Sequence, residues 1–345
     1  GLAKARDLAG RRENVIALIG DGSMSGGEAL EGLNVAGELN SNFIIVFNDN
    51  QMSIAENHGG MYDQFAELRR TNGAAENNLF KSMGLDYLYV NDGNDIEALI
   101  AAFEQVKDTT HPVVVHINTL KGKGYAPAEA NKEKWHWHMP FDIQTGQSPA
   151  SGSSESYASI FAEYALKRAK TDPKFLVLMS AVPGLLGLTQ ERREELGKHY
   201  LDVGIAEETA VAMASGAAHA GARVVWGSSA TFIQRTYDQL TQDLALNQNP
   251  AVIVGSGSIK GLMAATHQGL SSISMIANIP NMVYLAPSNA EEYIAMLDWA
   301  LDQDKHPVYI AIPSGPVVHA EGPVHTNFDA LNTYEVTRKG SKVAV

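Results

Sequence analysis

Apolar positions fall along this chain in short bursts of two alternating kinds. Apolar runs at 15–19, 43–47, 87–90 and 113–117, the first of them β-branched, are the length of buried strands. Between them, 28–39, 77–83 and 96–106 carry apolar residues at helical intervals. In the first of these, Ala29, Leu30, Leu33, Ala36 and Gly37 share one side. The period is lost over 121–154, where Gly, Pro, Lys and Ser accumulate, and this stretch reads as a linker. The alternation then resumes. Helices are expected at 157–170, 207–220, 232–244 and 290–301, and strands at 175–179, 200–203, 223–226, 251–254, 282–285 and 308–312. Strands alternating with helices predict an α/β fold of two tandem domains, each a parallel sheet flanked by helices. The expected boundaries are 1–150 and 151–330, with 331–345 opening a further linker.

The 345 residues suffice for two full cores. Lys and Arg total 26 against 39 Asp and Glu, a net charge of −13, which argues against nucleic-acid or anionic-membrane partners. No apolar run approaches a membrane span and no signal peptide is visible. The chain has no Cys, which removes disulfide and thiolate chemistry and fits a reducing cytoplasm. It opens without Met on a helix-like stretch and closes on a strand-like one, so both ends are expected to continue in a longer protein.

Chemistry concentrates first at Gly20-Asp21-Gly22-Ser23 and at Asn48-Asp49-Asn50-Gln51-Met52-Ser53. Each follows a predicted strand, and one helix separates them. Ligands of open parallel sheets collect beyond the carboxyl ends of strands. Gly22, Gly26 and Gly27 let the backbone approach an anion at the start of the following helix, where unpaired amides point outward. Mg²⁺ takes about six oxygens. Asp21 offers a carboxylate, Asn50 an amide oxygen and Met52 a backbone carbonyl, leaving positions for two phosphate oxygens and a water. Each motif alone is also ordinary turn chemistry. Both together, at the ends of two strands, favour a diphosphate held through a cation. A dinucleotide site fits poorly, because Gly26 falls one residue late for G-x-G-x-x-G.

Gly20-Asp21-Gly22 running to Asn50 resembles the cofactor motif of thiamine-diphosphate-dependent, transketolase-type enzymes. Ile19 to Met24, Leu33-Asn34-Val35-Ala36-Gly37, Asn48 to Ile54 and Lys121 to Glu129 are similar to the 1-deoxy-D-xylulose-5-phosphate synthase branch. The resemblance runs over nearly the whole chain. It implies thiamine-diphosphate-binding domains, the diphosphate and Mg²⁺ on 1–150 and the aminopyrimidine on 151–330. Gly22, Ser23, Asn50, Ile54 and Lys121 carry over as cofactor-binding residues, with Asp21, Asn50 and Met52 as metal ligands.

In the second half, Asp202-Val203-Gly204-Ile205-Ala206-Glu207-Glu208 resembles the family's Asp-Val-Ala-Ile-Ala-Glu-Gln. Glu207 thereby becomes the acid that protonates the aminopyrimidine; taken alone, both Glu would simply complement a helix dipole. In 229–239 Phe232 is implied to stack on the pyrimidine and Arg235 to reach substrate. Thr266-His267-Gln268-Gly269 and the stretch 135–142 match family motifs that make His267 and His136 active-site histidines. A metal pair from His136 and His138 lacks a third ligand.

Three positions depart from the synthase pattern. Ser256-Gly257-Ser258 stands for Arg-Ala-Gly, Ile312-Pro313-Ser314-Gly315 for Tyr-Pro-Arg-Gly, and Met263 for an Asp. By the family match, those arginines hold the acceptor's phosphate, and bidentate Arg is strong in that role. Lys260 is the candidate substitute. The family's N-terminal segment and C-terminal domain are expected outside this chain. The resemblance implies carboligation of a 2-keto donor with an aldehyde acceptor by a homodimer: pyruvate and glyceraldehyde 3-phosphate in the synthase, ketose phosphates in transketolase. A different acceptor, or a silent paralogue, is the alternative.

Overall fold

The computed structural model describes residues 1–148, 155–257, 265–331 and 340–341. Ser258, Lys260, Met263 and most of the expected terminal linker lie outside the described residues, as do 149–154. The helices are α1 (Leu2–Leu8), α2 (Gly27–Ala36), α3 (Met61–Arg70), α4 (Leu79–Ser82), α5 (Ile96–Val106), α6 (Ala126–Ala130), α7 (Tyr157–Thr171), α8 (Gln190–Leu196), α9 (Glu207–His219), α10 (Ala230–Ile233), α11 (Tyr237–Gln239), α12 (Ser272–Ala277) and α13 (Ala290–Asp302). The strands are β1 (Ile16–Gly20), β2 (Ile44–Asp49), β3 (Asp86–Val90), β4 (Val113–Asn118), β5 (Phe175–Met179), β6 (Tyr200–Asp202), β7 (Arg223–Ser229), β8 (Val252–Ser256), β9 (Val283–Leu285) and β10 (Val308–Ala311). They form a four-stranded sheet ordered β1-β2-β4-β3 and a six-stranded one ordered β6-β5-β7-β8-β10-β9. The α/β class expected from the periodicity is the class observed.

Two compact units result. One comprises Gly1–Ser154 with Leu178–Pro183 and Leu201–Ala210; the other comprises Glu155–Val177, Gly184–Tyr200 and Val211–Val345. In the first, the strands of the four-stranded sheet pair in parallel, with Gly20 level with Asn48 and Asp49 level with Asn118. Side chains alternate across this sheet. Phe47 and Val114 therefore face a core with Met24, Leu33, Phe65, Leu68 and Phe80. Ile44, Val46, Val113 and Val115 face the opposite way, onto Ala102 and Val106 of α5.

Helix α3 was not expected. Its apolar stripe is only Met61, Phe65 and Leu68, diluted by four charged residues and Gln64. Yet Phe65 and Leu68 are fully buried, so packing rather than propensity makes the helix. Helices α8 and α12 were likewise missed. Residues 121–148 are not a plain linker. Besides α6, they carry a local aromatic cluster in which Trp135 stacks on His138 at 4.4 Å and meets Phe141 at 4.8 Å and Tyr125 at 5.1 Å. The single helix expected at 232–244 breaks into α10, a 3-10 turn (Gln234–Thr236), α11 and a π-helical turn (Leu240–Ala245).

In the second unit, β7, β8, β10 and β9 pair in parallel around fully buried Trp226, Tyr293 and Tyr309. A Cβ on Gly255 would fall inside the Tyr309 hydroxyl. Tyr309 is 1% exposed and has nowhere to retreat, so Gly255→Ala is expected to destabilise by roughly 2–3 kcal/mol in urea unfolding. At this unit's surface, His319 bridges Glu291 at 2.8 Å and Glu155 at 2.9 Å, and Glu291 also accepts from the Ala320 amide. Glu291 is held down to about 2, first by that amide and then by His319, while Glu291 and Glu155 raise the imidazole. A raised histidine stabilises fully below its unfolded value of about 6.5 and loses this effect as pH rises through its folded value. The melting-temperature gap between the protein and His319→Gln should therefore be widest near pH 6 and close at alkaline pH.

Candidate functional site

β1 and β2 end side by side, and the chain leaves both through polar turns. The Asp21 amide donates to the Asn48 carbonyl at 3.1 Å, so the two turns start in contact. Asp21 caps a 3-10 turn (Gly22–Ser25) through its Oδ1, which accepts from the Gly22 amide at 2.9 Å. Its Oδ2 accepts from the Met52 amide at 2.8 Å and from Asn57 Nδ2 at 3.0 Å. Tyr62 donates its hydroxyl to the Asp21 carbonyl at 3.0 Å. The carboxylate is 1% exposed. Burial raises its pKa, the nearby Asp49 adds to this, and the donated hydrogen bonds oppose it.

Asn50 Oδ1 is sealed from solvent and has no hydrogen-bond partner among the described residues; Asn57 Oδ1 is in the same condition. An amide oxygen left so is costly. A buried carboxylate with a sealed, unpartnered amide oxygen on the neighbouring strand end suits a hard cation taking oxygen ligands. The residues present therefore fit Mg²⁺. Among the described residues no three His, Asp or Glu side chains converge as a transition-metal centre requires.

Gly22 is enclosed. A Cβ there would lie 2.5 Å from Ser53 Cβ, so only glycine lets these turns close on each other. Exposed Ser23 follows, and α2 begins at Gly27 without a side-chain cap, leaving its first amides free to meet an anion. Lys121 donates its ammonium to the Ser53 carbonyl. Burial lowers its pKa against the pull of Asp21. His136 lies near that ammonium and is lowered by partial desolvation first and by Lys121 second. Ile54 is half-buried between Ser53 and the fully packed Ala55.

The segment bearing Glu207 joins the same unit. The Ile205 amide donates to Ser25 Oγ at 3.0 Å, and a Cβ on Gly204, whose φ is +76°, would lie 3.3 Å from the His58 carbonyl. Glu207 opens α9 and is 3% exposed. In the second unit, half-buried Phe232 and His267 meet edge to face at 5.4 Å, and exposed Arg235 lies in the 3-10 turn that follows Phe232. Ser256 ends β8 and Ser314 follows β10.

Several contributors had no recognisable sequence signal. Asn57, Tyr62 and Ser25 touch the Asp21 turn or its Ile205 contact. Their separations of 36, 41 and 180 residues are visible only once the chain is folded. Asp49 reads in the sequence as the middle of a turn, yet it is 1% exposed and bonds to His116 and Arg69.

The family model for 1-deoxy-D-xylulose-5-phosphate synthase matches residues 1–78 and 71–119. That for the transketolase pyrimidine-binding domain matches 154–317. The chain is 36% identical over 352 residues to the 1-deoxy-D-xylulose-5-phosphate synthase of Desulforudis audaxviator, covering 91% of this chain and 55% of that protein. With the synthase of Natranaerobius thermophilus it is 34% identical over 386 residues, covering 100% and 60%. It thus spans somewhat over half the length of these curated relatives. A transketolase structure from Campylobacter jejuni is 19% identical with a TM-score of 0.42, covering 89% of this chain and 58% of that one, too distant a likeness to bear on the site.

Proposed function

The chain belongs to the thiamine-diphosphate-dependent transketolase family, near its 1-deoxy-D-xylulose-5-phosphate synthase branch, and on that premise we propose that it carries the cofactor half-sites of a carboligase. The observation that supports this most is the buried Asp21 carboxylate beside a turn whose Asn50 Oδ1 is sealed and unpartnered. Asp21, Asn50 and the Met52 carbonyl hold Mg²⁺ against the diphosphate. The backbone at Gly22 and Ser23, the start of α2 and the Lys121 ammonium receive its remaining charge. Ile54 and Phe232 supply apolar surface to the rings. When bound, thiamine diphosphate supplies a nucleophilic carbon that no side chain offers.

Glu207 holds a proton for the aminopyrimidine nitrogen. Its burial keeps that proton from being lost to water. His136, His267 and Arg235 are assigned to the donor and acceptor substrates. In this reading 1–150 takes the diphosphate and metal, 151–330 takes the pyrimidine, and the active form is a homodimer. The reaction is that of the synthase branch: pyruvate and glyceraldehyde 3-phosphate give 1-deoxy-D-xylulose 5-phosphate and CO₂. Ser256 and Ser314, neutral at the carboxyl ends of neighbouring strands β8 and β10, favour a second reading with a ketose-phosphate donor or a different aldehyde.

Calorimetry with thiamine diphosphate, with and without Mg²⁺, followed by CO₂ release from pyruvate, tests this. Mg²⁺-dependent binding with release stimulated by glyceraldehyde 3-phosphate supports the synthase reaction. Binding without release from pyruvate shifts the reaction to ketose phosphates. No Mg²⁺-dependent binding removes the carboligase reading.

A further inference from the structure

The first unit contains a buried polar chain that the carboligase reading does not use. His116 is 0% exposed and Asp49 1%, inside a core otherwise built from aromatic and aliphatic side chains. His116 Nε2 lies 3.0 Å from Asp49 Oδ2, and its Nδ1 lies 2.7 Å from the Tyr87 hydroxyl. Burial lowers the imidazole's pKa and raises that of Tyr87. The neutral ring therefore donates from Nε2 to the carboxylate and accepts at Nδ1 from Tyr87. Rings fix its plane: Phe47 lies 4.7 Å away and Tyr89 5.0 Å away at 89°. Arg69, from α3, donates to the same Asp49 Oδ2.

The other carboxylate oxygen points along the chain. Asp49 Oδ1 accepts from the Gln51 amide at 3.1 Å, closing a turn over Asn50. Gln51 adopts φ +67°, a left-handed conformation that is strained for a residue other than glycine. The next amide, of Met52, is taken by Asp21 Oδ2. Asn50 is thus gripped from both sides while its own Oδ1 has no partner among the described residues. Buried ion pairs are weak contributors to stability, and an apolar replacement of the same shape would serve packing as well. What an apolar side chain could not do is accept the Gln51 amide while anchored two strands away.

We propose that Tyr87, His116, Asp49 and Arg69 are positioning residues that hold the Asn50–Met52 turn in the geometry required by a divalent cation. The inference rests on the reading that this turn and Asp21 bind Mg²⁺ together. Outer partners of metal ligands commonly govern affinity by tenfold or more.

The test measures the Mg²⁺ concentration that half-saturates thiamine diphosphate binding, together with melting temperature, in the intact chain. Asp49→Asn should raise that concentration about tenfold or more. Tyr87→Phe removes one hydroxyl and should raise it about two- to fivefold. If Asp49→Asn fails to fold, Tyr87→Phe carries the test alone. Val106→Ala is the control. Its side chain packs in the core on the opposite face of the same sheet, without a bond to the chain, so it should lower the melting temperature and leave the Mg²⁺ midpoint unchanged. Midpoints within twofold of the unsubstituted protein for the foldable variants would overturn the proposal, as would an equal shift in Val106→Ala. An unsubstituted protein that binds thiamine diphosphate without regard to Mg²⁺ would overturn the cation reading itself, a result distinct from either.

Discussion

Glu207→Gln is expected to lower carboligation at least about a thousandfold while leaving thiamine diphosphate affinity within about threefold. Gln is isosteric with Glu and can still hydrogen-bond at the start of α9. It cannot hold a transferable proton. The carboxyl group is 3% exposed and belongs to a segment fixed by the Ile205 amide on Ser25 Oγ, so the substitution should not relax into another geometry. Steady-state turnover and calorimetry on the same preparation separate the two effects. Turnover at the unsubstituted rate would end the proton-sharing role of Glu207. Equal loss of binding and turnover would make Glu207 a binding residue only.

Asp21→Asn should weaken Mg²⁺-dependent cofactor binding by more than about a hundredfold. The only carboxylate proposed as a ligand is lost, and a neutral amide is a poor substitute toward a doubly charged ion. Stability should change little, by no more than about 1–2 kcal/mol. The Asn oxygen can still accept from Met52 and Asn57, and the cost of burying a charge disappears. The result to look for is a protein that melts near the unsubstituted temperature, with a Mg²⁺ titration that no longer saturates. Unchanged Mg²⁺ dependence would remove Asp21 from the ligand set and move attention to Asn50 and Asn57, whose amide oxygens lack partners among the described residues.

Most regular elements were legible before folding, and the exceptions share a cause. Expected strands at 15–19, 43–47 and 113–117 appear as β1, β2 and β4, shifted or extended by one or two residues, and α5 has the expected bounds. β2 and β4 read as unbroken apolar runs because both of their faces are covered, and α5 shows its helical period. Helix α3 failed this reading because Phe65 and Leu68 stand among charged residues, and only the aromatic core over β2 and β4 makes burying them worthwhile. The aromatic cluster at 125–141 failed it because rings separated by irregular backbone have no period at all.

The candidate site divides along the same line. The amino-acid sequence by itself determined where the turns after the first two strands fall. It also placed the proposed ligands Asp21, Asn50 and Met52 in those turns, because turn chemistry and strand ends are local properties. The tertiary structure alone decided what holds those oxygens in place. Asn57 and Tyr62 reach Asp21 from 36 and 41 residues away, and His116 reaches Asp49 from 67. No spacing rule links such residues. Their meeting depends on which helix covers which face of a sheet and in what register the strands lie, and the whole packed chain sets both at once.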